Sequence, residues 1–171
     1  MARYDIVPER SQVWIEATSN VHPIRTRTEG LEGFLDLELV DGGQIDLEVA
    51  PKGELSLPVS RLSSGNVLED RELQRRIDGR RFRTIDGRLT EMRATKRDGC
   101  YLVRGDVTFR GVTNSYEEEM TVARIDEQTV QLDGRATFDI RDFGMQPPRI
   151  LVFKVDPEVD VRVAVVARKE G

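Results

Sequence analysis

The stretch that decides the fold is YLVRGDVTFRGVT, residues 101–113. Its alternate residues fall into two sets, one mainly apolar and one mainly polar. The first set is Tyr101, Val103, Gly105, Val107 and Phe109, and the second is Leu102, Arg104, Asp106, Thr108 and Arg110. This period of two predicts a half-buried β-strand that ends in a tight turn containing glycine.

The same alternation recurs along most of the chain. Further strands are predicted at residues 11–18, 35–40, 45–49, 55–59, 85–92, 116–125, 130–140 and 159–168. A sheet of so many amphipathic strands must roll up to bury its apolar face and hide its edges. The sequence therefore predicts an all-β fold, an antiparallel β-barrel of about eight strands.

One short helix is predicted at residues 67–77. Asn66 can act as its N-cap, and Glu69 and Asp70 lie favourably at the positive N-terminal end. We expect an apolar stripe formed by Leu68, Leu73 and Ile77.

Length and charge limit the classes of protein to consider. The 171 residues suit one domain, residues 1–171, with a single core. Lys and Arg total 26 against 31 Asp and Glu, and this acidic balance argues against a nucleic-acid partner. No signal peptide and no apolar stretch approaching the length of a membrane span is recognisable. Cys100 is the only cysteine and is expected to be a buried free thiol, which fits a cytoplasmic location.

Catalytic and metal-binding residues are not recognisable. His22 is the only histidine and has no potential metal ligand at a suitable spacing, so a loop histidine is strongly favoured over a metal site. No motif marks a nucleophilic serine. Glu117, Glu118 and Glu119 alternate between the faces of a strand, which favours a solvated strand end over a glycosidase pair. We therefore predict no catalytic residue, no metal and no cofactor.

A cluster of arginines follows the predicted helix. Two interpretations are open: recognition of phosphate or an acidic headgroup, and a cationic helix C-terminus that is otherwise solvated. The second is favoured. The cluster consists of Arg75, Arg76, Arg80, Arg81 and Arg83.

The barrel interior is the remaining candidate site. A barrel of about eight strands is just wide enough to pack its own side chains or to enclose one ligand. Small residues at inward positions favour a cavity, although they could equally relieve strain at barrel corners. They are Ala17, Gly105, Gly134 and Ala136.

Five segments, in order, carry a resemblance to a known family. They are YDIVPERSQVWI, SGNVLEDREL, GDVTFRGVT, FDIRDFG and the valine-alternating C-terminal strand. Together they resemble the YceI-like family from Tyr4 to about Ala167. Members often have proline where this chain has Arg83 and Ser115, differences that concern turns more than the interior.

The resemblance implies a barrel of extended lipocalin type with a helix beside it. It implies a binding protein rather than an enzyme, often a homodimer, whose interior holds a polyisoprenoid or an isoprenoid quinone. Many members carry a secretory signal that is not recognisable here.

Our leading hypothesis is a cytoplasmic protein that carries or sequesters such a lipid. The alternative is a closed barrel with a filled core that acts as a non-enzymatic interaction module. The predicted cavity-lining residues are Val13, Ile15, Ala17, Leu35, Leu37, Leu55, Leu57, Val107, Phe109, Phe138, Ile140, Val161 and Val163.

Overall fold

The computed structural model describes residues 1–147, 149–150 and 153–170, with residues 149, 150 and 153 described by their backbone alone. Strands dominate the described chain. They are β1 (Ala2–Ile6), β2 (Gln12–Ser19), β3 (Ile24–Thr28), β4 (Glu32–Leu37), β5 (Lys52–Pro58), β6 (Thr84–Ala94), β7 (Cys100–Phe109), β8 (Val112–Asp126), β9 (Thr129–Asp139), β10 (Arg149–Ile150) and β11 (Phe153–Arg168). Helix α1 (Val67–Ile77) lies between β5 and β6, and short 3₁₀ turns occupy Pro8–Arg10, Val59–Arg61 and Ile140–Phe143.

Eight antiparallel strands close into a barrel. Their order around the wall is β1, β4, β5, β6, β7, β8, β9 and β11. The ring closes where β1 pairs with the end of β11, through Asp5 with Arg168 and Ile6 with Ala167. This confirms the predicted all-β antiparallel barrel with one helix.

Strands β2 and β3 widen one end of the barrel. The long β11 pairs with β9 along one edge, whereas its other edge pairs with β2 over residues 155–164. Strand β3 then pairs with β2, and a bridge between Arg27 and Ser63 joins β3 to the segment after β5. At this end the wall is therefore extended beyond the eight-stranded ring.

Helix α1 has the predicted limits. The Asn66 side chain accepts hydrogen bonds from the backbone N–H groups of Leu68 and Glu69 at 3.0 and 3.1 Å, which confirms the N-cap. Ile77 is buried and Leu73 packs against the core, but Leu68 is 56% exposed. The predicted stripe is wrong at Leu68 because the inward face of the helix runs through residues 69, 73 and 77, at the i, i+4, i+8 spacing.

The segment between β4 and β5 is not the predicted strand. Strand β4 ends at Leu37, and residues 45–49 form turns apart from one bridge between Ile45 and Leu39. Ile45 is nevertheless buried, and Leu47 packs against the core. The alternation here reflects a loop that inserts apolar side chains into one end of the barrel.

The other predicted strands are confirmed within a few residues, and β6 is longer than expected at both ends. Strand β11 begins before the predicted residue 159, with an irregularity in its pairing between Val155 and Val159. Strands β1, β3 and β10 lie where no strand was predicted. Cys100 is a buried free thiol, as expected.

Candidate functional site

The barrel contains a cavity of about 390 Å³. Its wall is built from the inward side chains of the strands and from α1, together with Phe143 and Met145 beyond β9. The wall is mostly aliphatic, and the volume lies in the range typical of small-molecule sites. The barrel is therefore hollow over much of its length.

One end of the barrel is packed solid. The inward side chains at this end are buried against one another and do not line the cavity. On the same strands, the next inward side chains line it. The cavity consequently begins at the level of Met92, Leu132 and Val165 and extends toward α1. The residues of the packed end include Tyr4, Leu37, Tyr101, Val130 and Ala167.

The predicted lining residues are brought together with one exception. Leu37 is fully buried in the packed end and does not line the cavity. The residues that do line it are Val13, Ile15, Ala17, Leu35, Leu55, Leu57, Val107, Phe109, Phe138, Ile140, Val161 and Val163. On each strand the side chains predicted to face inward do so, and Ile140 lines the cavity from the 3₁₀ turn that follows β9.

Small inward residues set the width of the cavity. Ala17, Gly105, Gly134 and Ala136 all line it, as do two further glycines, at positions 53 and 87. A Cβ atom at Gly134 would lie 2.9 Å from Cε of Met120, and one at Gly105 would lie 3.0 Å from the carbonyl oxygen of Arg88. These glycines both keep space open and allow close packing of the wall.

An aromatic cluster lies at the end of the cavity away from the packed end. The ring of Tyr116 meets that of Phe138 edge-on, with centroids 4.6 Å apart. Phe143 lies 6.2 Å from Tyr116 and 5.8 Å from Phe109, measured between ring centroids. All four aromatic residues line the cavity.

The direct pairing between β8 and β9 ends near this cluster. Their ladder extends from the pair Asp126–Thr129 to the pair Met120–Gly134. Beyond that point β8 continues along β7 and β9 continues along β11. There Tyr116 on β8 and Phe138 on β9 contact each other through their rings.

Tyr116 carries a polar atom into the cavity wall. Among the side chains that the structure describes, its hydroxyl is the buried nitrogen or oxygen atom without a hydrogen-bond partner. Burial raises the pKa of the Tyr116 phenol, the carboxylates of Asp142 and Asp139 act in the same direction, and the side chain of Asn114 opposes them. The phenol is therefore protonated at neutral pH.

Helix α1 places a carboxylate in the cavity wall. Glu69 is 8% exposed and lines the cavity. The exposed His22 lies nearby, with Nε2 3.8 Å from Oε1 of Glu69. Sequence spacing gave no indication of this pair, because the two residues lie far apart along the chain.

The glutamate run and the arginine cluster lie mainly on the surface. Glu117 and Glu119 contact Arg93 and Arg97 at 3.3 and 3.7 Å, whereas Glu118 pairs with Val103 on the opposite face, at the cavity edge. The alternation of faces predicted for this run is confirmed. In the arginine cluster, Arg75 and Arg76 share Glu72 at 3.0 and 2.8 Å, and Arg80, Arg81 and Arg83 are exposed.

Tyr116 and Glu69 were missed as site residues. Tyr116 has the same parity as Met120 and Val122, so the alternation of β8 contained the signal that it faces inward. The sequence indicates Glu69 only as a favourable charge at the helix N-terminus. Within the described residues, no group of three or more His, Cys, Asp or Glu side chains could hold a metal ion. In the same part of the chain, none of the helices has the length and hydrophobicity of a membrane span.

Comparison with known proteins places this barrel in a family. The sequence profile of the YceI-like domain matches residues 4–167. The chain belongs to the YceI-like domain family. No curated protein matches the chain significantly.

Solved structures share the YceI-like fold at low sequence identity. BcnA of Burkholderia cenocepacia is 15% identical with a TM-score of 0.79, over 95% of this chain and 99% of that one. A polyisoprenoid binding domain from Saccharophagus degradans is 10% identical with a TM-score of 0.77, over 99% and 100% of the two chains. The YceI protein of Campylobacter jejuni is 10% identical with a TM-score of 0.68, over 86% of each chain.

Proposed function

We propose that this YceI-like protein binds a long amphiphilic lipid, a polyisoprenoid or an isoprenoid quinone, inside its barrel, and carries or sequesters it. The observation that carries the proposal is the aliphatic cavity of about 390 Å³, closed at one end by the packed core. The polyisoprenoid binding domain from Saccharophagus degradans, which has the same fold, supports the choice of ligand class.

The hydrophobic free energy of burying a long tail indicates that the lipid does not come directly from water. Burial of a 40-carbon chain at about 0.8 kcal/mol per CH₂ would release roughly 32 kcal/mol relative to water. The free energy of non-covalent binding saturates at about 20 kcal/mol. A ligand that leaves a membrane or another carrier avoids this conflict. Its tail moves from one apolar environment to another, so the hydrophobic contribution to the binding free energy largely cancels. Shape and headgroup contacts then decide which lipid binds.

The lipid tail would contact the aliphatic wall of the cavity. The expected contacts are represented by side chains that line the cavity and that the alternation of their strands predicts to face inward. They include Val13, Ile15, Val107, Val161 and Val163. A wall of this composition offers dispersion contacts rather than reactive groups. This supports a binding role rather than catalysis.

The alternative, a barrel with a filled core that acts as an interaction module, is less well supported. A filled core would leave scattered voids smaller than an alkyl chain, whereas the present cavity is lined by residues of all eight barrel strands and of β2 and β3. The cytoplasmic location and the homodimer stay predictions.

Solvent extraction of the purified native protein followed by mass spectrometry tests the proposal. We expect a prenyl lipid in the extract, and uptake of added prenyl compounds by protein from which lipid has been removed. Repeated absence of lipid together with no uptake would overturn the proposal.

A further inference from the structure

We propose that the outward face of helix α1 docks on a membrane surface that contains anionic lipid, and that the protein exchanges its ligand with the bilayer there. The inference rests on the proposed function, since it names the partner that supplies lipid to the cavity or receives it. The docking surface consists of Val67, Leu68, Arg71 and Arg75 on α1, together with Val21 in the turn between β2 and β3.

The first argument is the exposure of apolar side chains at the start of α1. Val67 is 70% exposed and Leu68 is 56% exposed, although the other face of the helix packs against the barrel. Val21 is 55% exposed and lies in the neighbouring turn. The residue after it, His22, places Nε2 3.8 Å from Oε1 of Glu69, which follows Leu68. Exposed aliphatic side chains gathered in one place are typical of an interaction surface.

The second argument is the charge on the same face of the helix. Arg71 and Arg75 lie four and eight residues after Val67, so the three side chains share one face, and all three are exposed. The cavity-lining residues of α1 are offset by two positions, or about 200° around the helix axis. Aliphatic side chains and arginines on one exposed helix face suit a bilayer interface, where the former enter the acyl boundary and the latter bind lipid phosphates.

Neighbouring carboxylates do not neutralise these arginines. Residues 67–83 contain six arginines against four carboxylates, although the whole protein has a net charge of −5. Arg75 and Arg76 share the single carboxylate of Glu72. In the part of the chain that the structure describes, Arg71 has no carboxylate partner. The surplus of cations on this segment is therefore complementary to an anionic surface.

The third argument is the short distance between the docking surface and the cavity. Leu73 and Ile77 line the cavity from the inward face of α1, so a single helix separates the cavity from the docking surface. Glu69 lines the cavity and also contacts the exposed His22, so one side chain separates the cavity from the turn that carries Val21. Docking on this face brings the cavity next to the bilayer.

The packed end of the barrel lacks this combination. Ile125 is 50% exposed there, but two exposed carboxylates, Asp126 and Glu127, follow it directly. Carboxylates repel an anionic bilayer, and the packed core separates this end from the cavity. The α1 end is therefore the one suited to lipid exchange.

Flotation of the full-length protein with vesicles tests the inference. One set of vesicles contains phosphatidylcholine alone, and the other contains phosphatidylcholine mixed with phosphatidylglycerol. We expect the wild type to bind the mixed vesicles more tightly, and added salt to weaken this binding because it screens the arginines. Leu68→Gln should weaken binding about ten-fold through the lost burial of its side chain. Arg71→Gln should weaken binding to the mixed vesicles about five-fold.

Ile125→Gln is the matched control. It replaces an aliphatic side chain of similar exposure with the same amide, at the opposite end of the barrel, and should leave vesicle binding unchanged. Leucine and glutamine have similar helix propensities, so Leu68→Gln should leave α1 folded, which circular dichroism checks. Equal weakening by the two variants, or equal binding of the wild type to both sets of vesicles, would overturn the docking surface.

Uptake of a prenyl lipid from detergent micelles separates this inference from the function on which it rests. Leu68→Gln should take up the lipid as the wild type does, because Leu68 does not line the cavity. Uptake by a wild-type protein that binds neither set of vesicles would overturn the docking surface and leave the proposed function intact. Vesicle binding without any uptake would overturn the proposed function and, with it, the exchange of ligand at this surface.

Discussion

The backbone N–H of Ile45 donates a hydrogen bond to the hydroxyl oxygen of Tyr101 at 2.9 Å, and both residues are buried. The bond ties the loop between β4 and β5 to strand β7 at the packed end of the barrel. Ile45 thereby closes the end of the barrel opposite the aromatic cluster. This polar contact lies among the apolar side chains that fill the end of the barrel.

Replacing Tyr101 with Phe should destabilise the protein. The substitution leaves the buried N–H of Ile45 without an acceptor, and we expect a loss of about 1–3 kcal/mol in the free energy of unfolding. Urea denaturation monitored by circular dichroism measures it. An unchanged midpoint would show that water replaces the hydroxyl and that this end of the barrel is open.

Gly33 and Gly42 should differ sharply in their tolerance of alanine. Both have positive φ, +143° and +87°, but a Cβ at Gly33 would overlap the carbonyl oxygen of Glu54, whereas one at Gly42 meets nothing within 4 Å. Gly42→Ala should cost about 1–2 kcal/mol from its backbone conformation alone. We expect Gly33→Ala to prevent correct pairing of β4 with β5, which soluble yield and thermal unfolding would reveal. Similar melting temperatures for the two variants would contradict this.

Val161→Trp should abolish lipid loading. Val161 lines the cavity from β11, and an indole there would occupy space that the lipid tail needs. Arg104→Gln is the control, because Arg104 lies exposed on the outer face of β7 opposite Glu117. Extraction and mass spectrometry of both variants gives the comparison. Equal loading of the two, with both folded, would show that the assigned parity does not define the ligand site.

Glu72 should make the stability of α1 depend on pH. Hydrogen bonds from Arg75, and then from Arg76, lower the pKa of the Glu72 carboxyl below its ordinary value of 4.5. A lowered pKa in the folded state stabilises the protein above that ordinary value, and the contribution is lost as the pH falls through the folded-state pKa.

Glu72→Gln should therefore be slightly less stable than the wild type at pH 7 and equally stable in strong acid. Thermal unfolding over this range measures the difference between the two. A difference that stays constant with pH would exclude an ionic contribution from Glu72.

Prediction from the sequence was most successful where one face of a strand packs and the other is solvated. Strands β7 and β9 and helix α1 were located within a residue or so at each end. The strand predicted at residues 45–49 is wrong, because a loop that packs Ile45 and Leu47 against the core gives the same alternation as a strand. It missed β1 and β3, which have only five residues each and offer too few alternations to recognise.

The sequence by itself determined that one face of each strand is buried, that the sheet must close, and which aliphatic residues face inward, since a period of two is a local property of the chain. Only the tertiary structure decided that the interior is hollow, that Leu37 packs below the cavity, and that the Tyr116 hydroxyl is left without a partner. These properties depend on distances between strands that are far apart in sequence, and on how the small inward residues of several strands meet across the barrel.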